Sequence, residues 1–318
     1  MPILITVLSL AALILLLALI CFLLVFYAPR QKPVGPDDYP LPKGAIYEPH
    51  KDLMIQWMKI ARTMPHEELT ITSFDGLKLF GRYYEKYPGA PIEIMFHGYR
   101  GCGERDLCVG LKRAFRLGRN VLIVEQRTSR KSEGHIITFG VREHRDCLAW
   151  VDFAVKKFGE DVSIILTGIS MGATTVLLAA GQPLPPQVKG VLADCGFTSA
   201  KEIIDKICRQ ILLPSKLLYP LIRLGALLYG GFDPEHSNAP KALQTCTVPV
   251  IFIHGESDDF VPCYMSKQNY DACPSPKALL TVPGAGHGLA YAVEPDNYLN
   301  ALAGFFTDNG VPTEIVNI

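Results

Sequence analysis

Ser170 stands at the centre of a short motif that is typical of a nucleophilic serine. The motif is Gly168-Ile-Ser-Met-Gly172, a G-x-S-x-G sequence. An apolar run, Val162–Leu166, leads into it, and a segment rich in small residues, Ala173–Ala180, follows it. A serine in a tight turn between a strand and a helix projects its hydroxyl outward, and glycines beside it let neighbouring segments approach. We therefore predict that Ser170 is a nucleophile. The alternative is a strand-to-helix turn that merely contains a serine.

A serine hydroxyl needs a base to take its proton, and a histidine in a glycine-rich loop is the candidate. His287 lies between two glycines just after the last apolar run of the chain, where little local packing explains an imidazole. The alternative is an ordinary surface histidine. An acid must then hold the ring in the correct tautomer. Asp258, at the end of another apolar run, is our first choice; Asp259 beside it and Asp194 at the end of the preceding run are the alternatives.

A serine nucleophile also requires hydrogen-bond donors for the negative oxygen of a tetrahedral intermediate. The backbone N–H of Met171 follows the nucleophile directly and is the first candidate for this oxyanion hole. The second is the backbone N–H of Tyr99, in a loop with small neighbours after the apolar run Ile92–Phe96. His97 begins this loop, and we expect it to be a structural residue beneath the loop rather than a second base.

The elements that must position these residues alternate between short apolar runs and helical stretches. A hairpin with Asp75-Gly76 as its turn comes first. The apolar runs after this hairpin are too continuous for half-exposed strands, which predicts strands buried on both faces. They are Ile92–Phe96, Val121–Val124, Val162–Leu166, Val188–Ala193, Val250–Ile253 and Ala278–Val282. Helical stretches such as Val141–Phe158 separate them, which indicates an α/β fold with a mostly parallel central sheet flanked by helices.

One α/β domain over residues 67–308 accommodates this pattern, followed by a tail at 309–318. The alternation is interrupted at about 198–247, a segment that includes the apolar stretch Ile211–Phe232. Ligands of such folds bind at the carboxyl ends of the strands, so we interpret this insertion as a helical cap over that edge of the sheet. Its apolar stretch is either the core of the cap helices or the lining of an acyl pocket.

Residues Ile3–Tyr27 contain no charge and consist mainly of Leu, Ile, Val and Ala. As a helix this run would be about 37 Å long, enough to cross a hydrocarbon core of roughly 30 Å. A buried globular helix is rarely apolar on every face, and a cleaved signal peptide has a charged start and a shorter apolar region. We therefore predict a transmembrane anchor at 3–27. Residues 28–66, with a proline-rich start and a short amphipathic helix at 51–64, should link it to a structurally separate catalytic domain.

The charges next to the apolar run predict its orientation. Arg30, Lys32 and Lys43 follow the run, whereas only the amino terminus precedes it. The positive-inside rule then favours a single-pass membrane protein with a cytoplasmic catalytic domain. The nine cysteines are scattered, odd in number and without a C-x-x-C pair. They fit free thiols in a reducing compartment better than a disulfide framework or a zinc site.

Charge and missing motifs argue against several kinds of partner. The chain has 31 basic and 31 acidic residues, so its net charge of zero gives no support for a nucleic-acid partner. Gly101-Cys-Gly103 lacks the third glycine of a dinucleotide fingerprint, and no histidine pair has metal-ligand spacing. We therefore expect neither a cofactor nor a metal. Arg127, Arg130 and Lys131 form a small basic cluster, expected on a solvated loop or, alternatively, against acidic lipid headgroups.

Four motifs together resemble one branch of the α/β-hydrolase superfamily. They are His97–Gly101, Gly168–Gly172, His254–Pro262 and Gly286-His287. These motifs are similar to those of the serine-aminopeptidase/monoacylglycerol-lipase-like branch, some members of which carry an amino-terminal membrane anchor. The resemblance covers about residues 67–308. The order of serine, aspartate and histidine along the chain is also the α/β-hydrolase order.

The resemblance and the three residue types imply a serine hydrolase that cleaves carboxylic esters or thioesters through an acyl-enzyme. Its substrates would be small-molecule or lipid-like acyl compounds. A serine aminopeptidase-like peptidase would use the same residues, and it would need acidic groups near the pocket to hold a substrate amine. A non-catalytic membrane-anchored binding module on the same fold would ordinarily have lost one of the three residues, and Ser170, Asp258 and His287 are all present.

Overall fold

A computed structural model describes residues 1–29, 31 and 34–318 of the chain. Arg30 and Lys32, which carry part of the orientation argument, lie outside the described residues. Within those residues the chain forms an eight-stranded sheet. The strands are β1 (Glu67–Thr72), β2 (Lys78–Tyr84), β3 (Ile92–Phe96), β4 (Asn120–Glu125), β5 (Ile164–Ile169), β6 (Val188–Asp194), β7 (Val250–Gly255) and β8 (Lys277–Val282).

The helices before and between the first six strands are α1 (Pro2–Val25), α2 (Lys51–Thr63), α3 (Gly103–Arg116), α4 (Glu143–Phe158) and α5 (Met171–Ala180). The later ones are α6 (Ala200–Gln210), α7 (Ser215–Gly225), α8 (Ala239–Leu243), α9 (Tyr264–Ala272), α10 (Ala290–Val293) and α11 (Pro295–Asp308). A 3₁₀ turn at Ala45–His50 precedes α2. A π-helical turn at Ala226–Gly230 continues α7, and a second 3₁₀ turn comes after it at Pro234–His236.

The sheet has the order β1-β2-β4-β3-β5-β6-β7-β8. The first two strands form an antiparallel hairpin, with Gly76 in its turn at a φ of 89° that suits glycine, and β2 also pairs antiparallel with β4. All later neighbours are parallel. The predicted α/β fold with a mostly parallel sheet is therefore confirmed, and the carboxyl ends of β3 and β5 to β8 lie at one edge.

Helices cover both faces of this sheet. Trp150 of α4, Val176 of α5 and Leu243 of α8 pack on one face, together with inward side chains of the strands. On the other face, α11 contributes Leu302 and Phe306, and α2 and α3 pack beside it. Because both faces are buried, the strands are apolar along nearly their whole length, which is the pattern that the sequence shows.

One charged residue, Glu93, is buried inside strand β3. It accepts hydrogen bonds from Arg113 and Arg119, with N···O distances of 2.5 and 2.6 Å, and from Thr167 Oγ1 at 3.0 Å. Burial alone would raise the pKa of this carboxyl, but the two guanidinium groups outweigh burial and lower the pKa to about 2. Glu93 is therefore a carboxylate that holds α3 and the start of β4 against the sheet.

The helix α1 is long and apolar enough to cross a membrane, and within the described residues it is the one helix that meets this criterion. The expectation that it is structurally separate from the catalytic domain is wrong. Phe22 and Phe26 are buried in a cluster with residues of the cap, and Phe26 lies edge-on to Phe139 and Phe232 with ring centroids 5.8 and 5.1 Å away. Phe26 O also accepts a hydrogen bond of 2.8 Å from Ile137 N.

Candidate active site

Ser170 lies in the turn that joins β5 to α5, at the carboxyl edge of the sheet. Its φ of 58° and ψ of −122° are strained for a residue with a side chain. A Cβ on Gly168 would lie 2.1 Å from Gly172 O, and a Cβ on Gly172 would lie 2.0 Å from Phe96 O. Since neither contact is possible, both motif glycines are needed to bring β5, α5 and β3 this close together.

His287 and Asp258 lie on two loops that come after the last two strands, and the sheet brings these loops together. His287 Nδ1 donates a hydrogen bond of 2.7 Å to Asp258 Oδ2. The other carboxylate oxygen, Oδ1, accepts backbone N–H groups from Phe260 and Val261, both at 2.8 Å. Because Nδ1 carries the hydrogen of this bond, His287 Nε2 is the ring nitrogen that can accept a proton.

A second histidine, His254, contacts the same aspartate. Its Nε2 donates to Val261 O at 2.7 Å and lies 3.2 Å from Asp258 Oδ2, while its Nδ1 accepts from Ser266 Oγ at 2.7 Å. Burial alone would raise the pKa of Asp258, but hydrogen bonds from His254 and His287 outweigh burial and hold that pKa well below its ordinary value. The supporting role of His254 was not predicted, although its position at the end of β7, four residues before Asp258, was a usable signal.

Within the described residues, neither alternative acid forms a hydrogen bond with His287. Asp194 is buried, and its Oδ2 accepts a 2.8 Å hydrogen bond from Tyr298 OH of α11. Burial raises its pKa. The backbone oxygen of Asp259 accepts hydrogen bonds from Lys206 and Gln210 of α6. The Asp259 side chain does not cap the next helix, since α9 begins at Tyr264 without a side-chain cap.

Ser170 and His287 line one cavity of about 520 Å³, together with Gly98 and Tyr99. No hydrogen bond joins Ser170 Oγ to His287 in the described part of the chain; such bonds are often long in ligand-free enzymes and shorten when substrate binds. The backbone N–H groups of Tyr99 and Met171 donate to no other group within the described residues, so both can donate to a ligand.

His97 has the structural role that was expected of it. The residue is buried, its Nδ1 donates to Gly98 O at 2.9 Å, and its Nε2 accepts from Gln126 N at 3.0 Å. Both ring nitrogens are therefore occupied in holding the loop after β3. Arg127 differs from its expected place on a solvated loop, because it is buried and forms ion pairs with Asp75 and Asp146.

A segment expected to be only a linker forms part of the cavity wall. Residues 42–47, together with the start of α2, line the space above Ser170. Tyr47 OH donates a 3.0 Å hydrogen bond to His287 O. Ile46 packs closely on Gly286, since a Cβ on Gly286 would lie 2.7 Å from the Ile46 side chain. The proline-rich stretch before this segment suggested only a linker and gave no signal for this role.

A buried thiol, that of Cys195, lies beside the aspartate–histidine pair. Donor atoms of Cys195, Asp258 and His287 all lie within 4.8 Å of one another. Burial raises the pKa of the thiol well above its ordinary value, so it is protonated at neutral pH. A protonated thiol is a poor metal ligand, and Asp258 and His287 already bind each other. This donor set therefore fits a hydrogen-bonded cluster better than a metal site.

Comparisons with known proteins agree with the fold. The model of the serine hydrolase (FSH1) family matches residues 146–289, which contain Ser170, Asp258 and His287. The Pyrococcus furiosus esterase Pf2001 has a similar structure, with a TM-score of 0.65 and 19% identity over 88% of this chain and 99% of that one. A likeness at this identity shows the fold alone. The chain thus has the fold of the α/β hydrolases, and its residues 146–289 are similar to the serine hydrolase (FSH1) family.

Two curated relatives are more similar in sequence. The Bacillus subtilis protein YqkD is 29% identical over 199 residues, which are 62% of this chain and 65% of that protein, slightly under two thirds of its length. The Saccharomyces cerevisiae protein YNL320W, described as a membrane protein, is 24% identical over 255 residues, which are 79% of this chain and 82% of that protein.

Proposed function

We propose that the chain hydrolyses carboxylic esters or thioesters through an acyl-enzyme formed on Ser170. In this mechanism Ser170 Oγ attacks the acyl carbonyl carbon while His287 Nε2 takes its proton. Asp258 keeps the proton of Nδ1 in place and stabilises the imidazolium. The N–H groups of Met171 and Tyr99 bind the oxyanion.

His287 then acts first as an acid and afterwards as a base again. His287 gives its proton to the leaving alkoxide or thiolate, which departs as the alcohol or thiol and leaves an ester on Ser170. A water molecule then loses a proton to His287 Nε2 and attacks this ester, and the acid is released as Ser170 recovers its proton. No other reactant is needed. The observation that carries the proposal is the 2.7 Å hydrogen bond between His287 and Asp258 beside a strained serine in the same cavity.

Ser170→Ala tests this proposal. The wild-type protein should react with a fluorophosphonate probe and hydrolyse at least one member of a panel of esters and thioesters. The variant should lose both activities, because removing the nucleophile of such a triad lowers kcat by about 10⁶-fold. Thermal unfolding of both proteins controls for folding. A variant that keeps the wild-type rate would refute Ser170 as the nucleophile.

Aminoacyl amides in the same panel test for a peptidase. Asp106, an acidic group that lines the cavity, is paired with Arg105 and accepts a hydrogen bond from Gly98 N at 3.0 Å. It therefore offers little free charge for a substrate amine. Failure of the wild-type protein to react with the probe would instead favour a non-catalytic binding module.

We further propose that α1 is a single membrane anchor and that the catalytic domain faces the cytoplasm. The support is the length and apolar surface of α1, together with nine free cysteines, seven of them buried, for which a reducing compartment is the usual setting. A membrane anchor next to the site also favours lipid-like acyl substrates. Protease added to intact cells should spare the domain, and protease added to inverted vesicles should digest it; the reverse pattern would contradict this orientation.

A further inference from the structure

The second half of α1 is bound to the cap along its length. At Gly225, near the end of α7, a Cβ would lie 2.3 Å from Ala18 O, so the two helix backbones touch there. Tyr229 of the π-helical turn donates a 3.0 Å hydrogen bond to Leu15 O, and its ring lies 6.0 Å from that of Phe22. The cap and α1 are therefore one packed unit from Leu15 onward.

The loop after β3 binds the end of the same helix. Tyr99 OH donates to Val25 O at 2.7 Å, and Arg100 Nη2 donates to Leu24 O and Tyr27 O, both at 2.9 Å. These bonds satisfy carbonyl groups at the carboxyl terminus of α1, and the Arg100 charge is favourable there. The polar end of α1 is thus fixed beside the candidate oxyanion loop.

The cap exposes large apolar side chains next to this helix pair. The turn between α6 and α7 is Ile211-Leu212-Leu213, and Leu212 is 92% exposed. On α7 and the π-helical turn, Leu217 is 72% exposed and Leu227 and Leu228 are also exposed. Several exposed large apolar groups along one segment, 211–228, mark an interaction surface. We call these six residues the cap surface: Ile211, Leu212, Leu213, Leu217, Leu227 and Leu228.

The chemistry and the position of the cap surface identify the partner. Between Leu15, which contacts Tyr229, and Val25 the helix rises about 15 Å, which is about half of a bilayer's hydrocarbon thickness. A cap that packs on this half of a membrane-spanning α1 therefore lies within one leaflet. Residues 200–230 also contain five basic and two acidic side chains, a balance that suits anionic headgroups.

We propose that the cap surface inserts into the lipid leaflet that surrounds the carboxyl-terminal half of α1. The catalytic domain is then held against the bilayer by two elements, the anchor and the cap, rather than tethered at a distance. Gln210, which directly precedes the exposed turn, lines the cavity, as does Phe260, whose ring lies 5.1 Å from that of His287. The site therefore opens next to the inserted surface, where an acyl substrate can enter from the membrane. This proposal rests on the membrane anchor proposed above but not on the hydrolytic reaction.

Tryptophan fluorescence in vesicles tests this insertion on the full-length chain. The two native tryptophans, Trp57 and Trp150, are both buried in helices that pack on the sheet. Leu212→Trp places a third at the exposed turn, where no neighbour has to move. The matched control is Gln244→Trp. Gln244 is also exposed, but it lies just after α8 and beside Gly181. Gly181 follows α5 at the end of that helix opposite Ser170.

Both variants are reconstituted into phosphatidylcholine/phosphatidylglycerol vesicles with and without brominated acyl chains, which quench tryptophan on contact. We expect the added fluorescence of Leu212→Trp to fall at least about twofold in brominated vesicles, and that of Gln244→Trp to stay unchanged. Equal fluorescence of Leu212→Trp in both vesicle types would overturn the proposal, and so would equal quenching of the two variants. Hydrolysis of a water-soluble ester is measured on the wild-type protein in the same vesicles; its absence would refute the proposed function without affecting the quenching result.

Discussion

Replacing Asp258 by asparagine should inactivate the site through the tautomer of His287. The Oδ1 atom of Asp258 accepts two backbone N–H groups, from Phe260 and Val261. An asparagine keeps both bonds only if its oxygen stays in that position, which turns its NH₂ group toward His287 Nδ1. That nitrogen must then accept a hydrogen bond, so the ring proton moves to Nε2. A protonated Nε2 cannot take the proton of Ser170.

The expected loss can be estimated from this change. The wrong tautomer in such triads lowers kcat by about 10⁴-fold, which corresponds to about 5.5 kcal/mol of lost transition-state stabilisation. Asp259→Asn is the matched control and should change kcat less than about tenfold, or roughly 1.4 kcal/mol. The assay is ester hydrolysis under saturating substrate, with thermal unfolding to compare folding. A kcat for Asp258→Asn within tenfold of wild type would refute the assignment, and a larger loss in Asp194→Asn would move the acid to the preceding strand.

Two further predictions concern stability. Phe26→Ala should lower the unfolding free energy in detergent by about 3–5 kcal/mol, the usual cost of removing a buried phenylalanine. The control Leu24→Ala should cost little, because the Leu24 side chain is 69% exposed. Equal effects of the two variants would contradict the packing of α1 on the cap. Glu93→Gln should cost about 3–5 kcal/mol in urea unfolding at pH 7, because Arg113 and Arg119 would lose their buried counter-charge. Since the folded pKa of Glu93 is about 2 and an unfolded glutamate titrates near ~4.3, its stabilisation is complete above that pH and decreases as the pH falls toward 2. The variant should therefore lose less stability than wild type between about pH 4 and 2, and an identical acid profile would contradict this ion cluster.

Local sequence was sufficient for the sheet and for the turn that carries the serine. The continuous apolar runs require burial on both faces, so they predicted β3 to β8 and a parallel arrangement. The two glycines around Ser170 are needed because the adjacent elements β3, β5 and α5 approach one another closely. The residues of the predicted triad and oxyanion hole come directly after sheet strands, which explains why their placement near one edge could be predicted without coordinates.

Contacts between segments far apart in the chain were decided only by the tertiary structure. The choice of Asp258 over Asp194 rests on which carboxylate reaches His287, and nothing in the local sequence of either aspartate differs enough to settle it. Segment 42–47 lies within the predicted linker, yet it covers the site because Ile46 and Tyr47 reach the His287 loop about 240 residues away. The apolar run at the amino terminus likewise predicts a helix that can cross a membrane, but not its packing on α7. The sequence of an all-apolar helix does not indicate which face is buried. The buried side of α1 is therefore decided by its partner α7, where Gly225 allows the two backbones to touch.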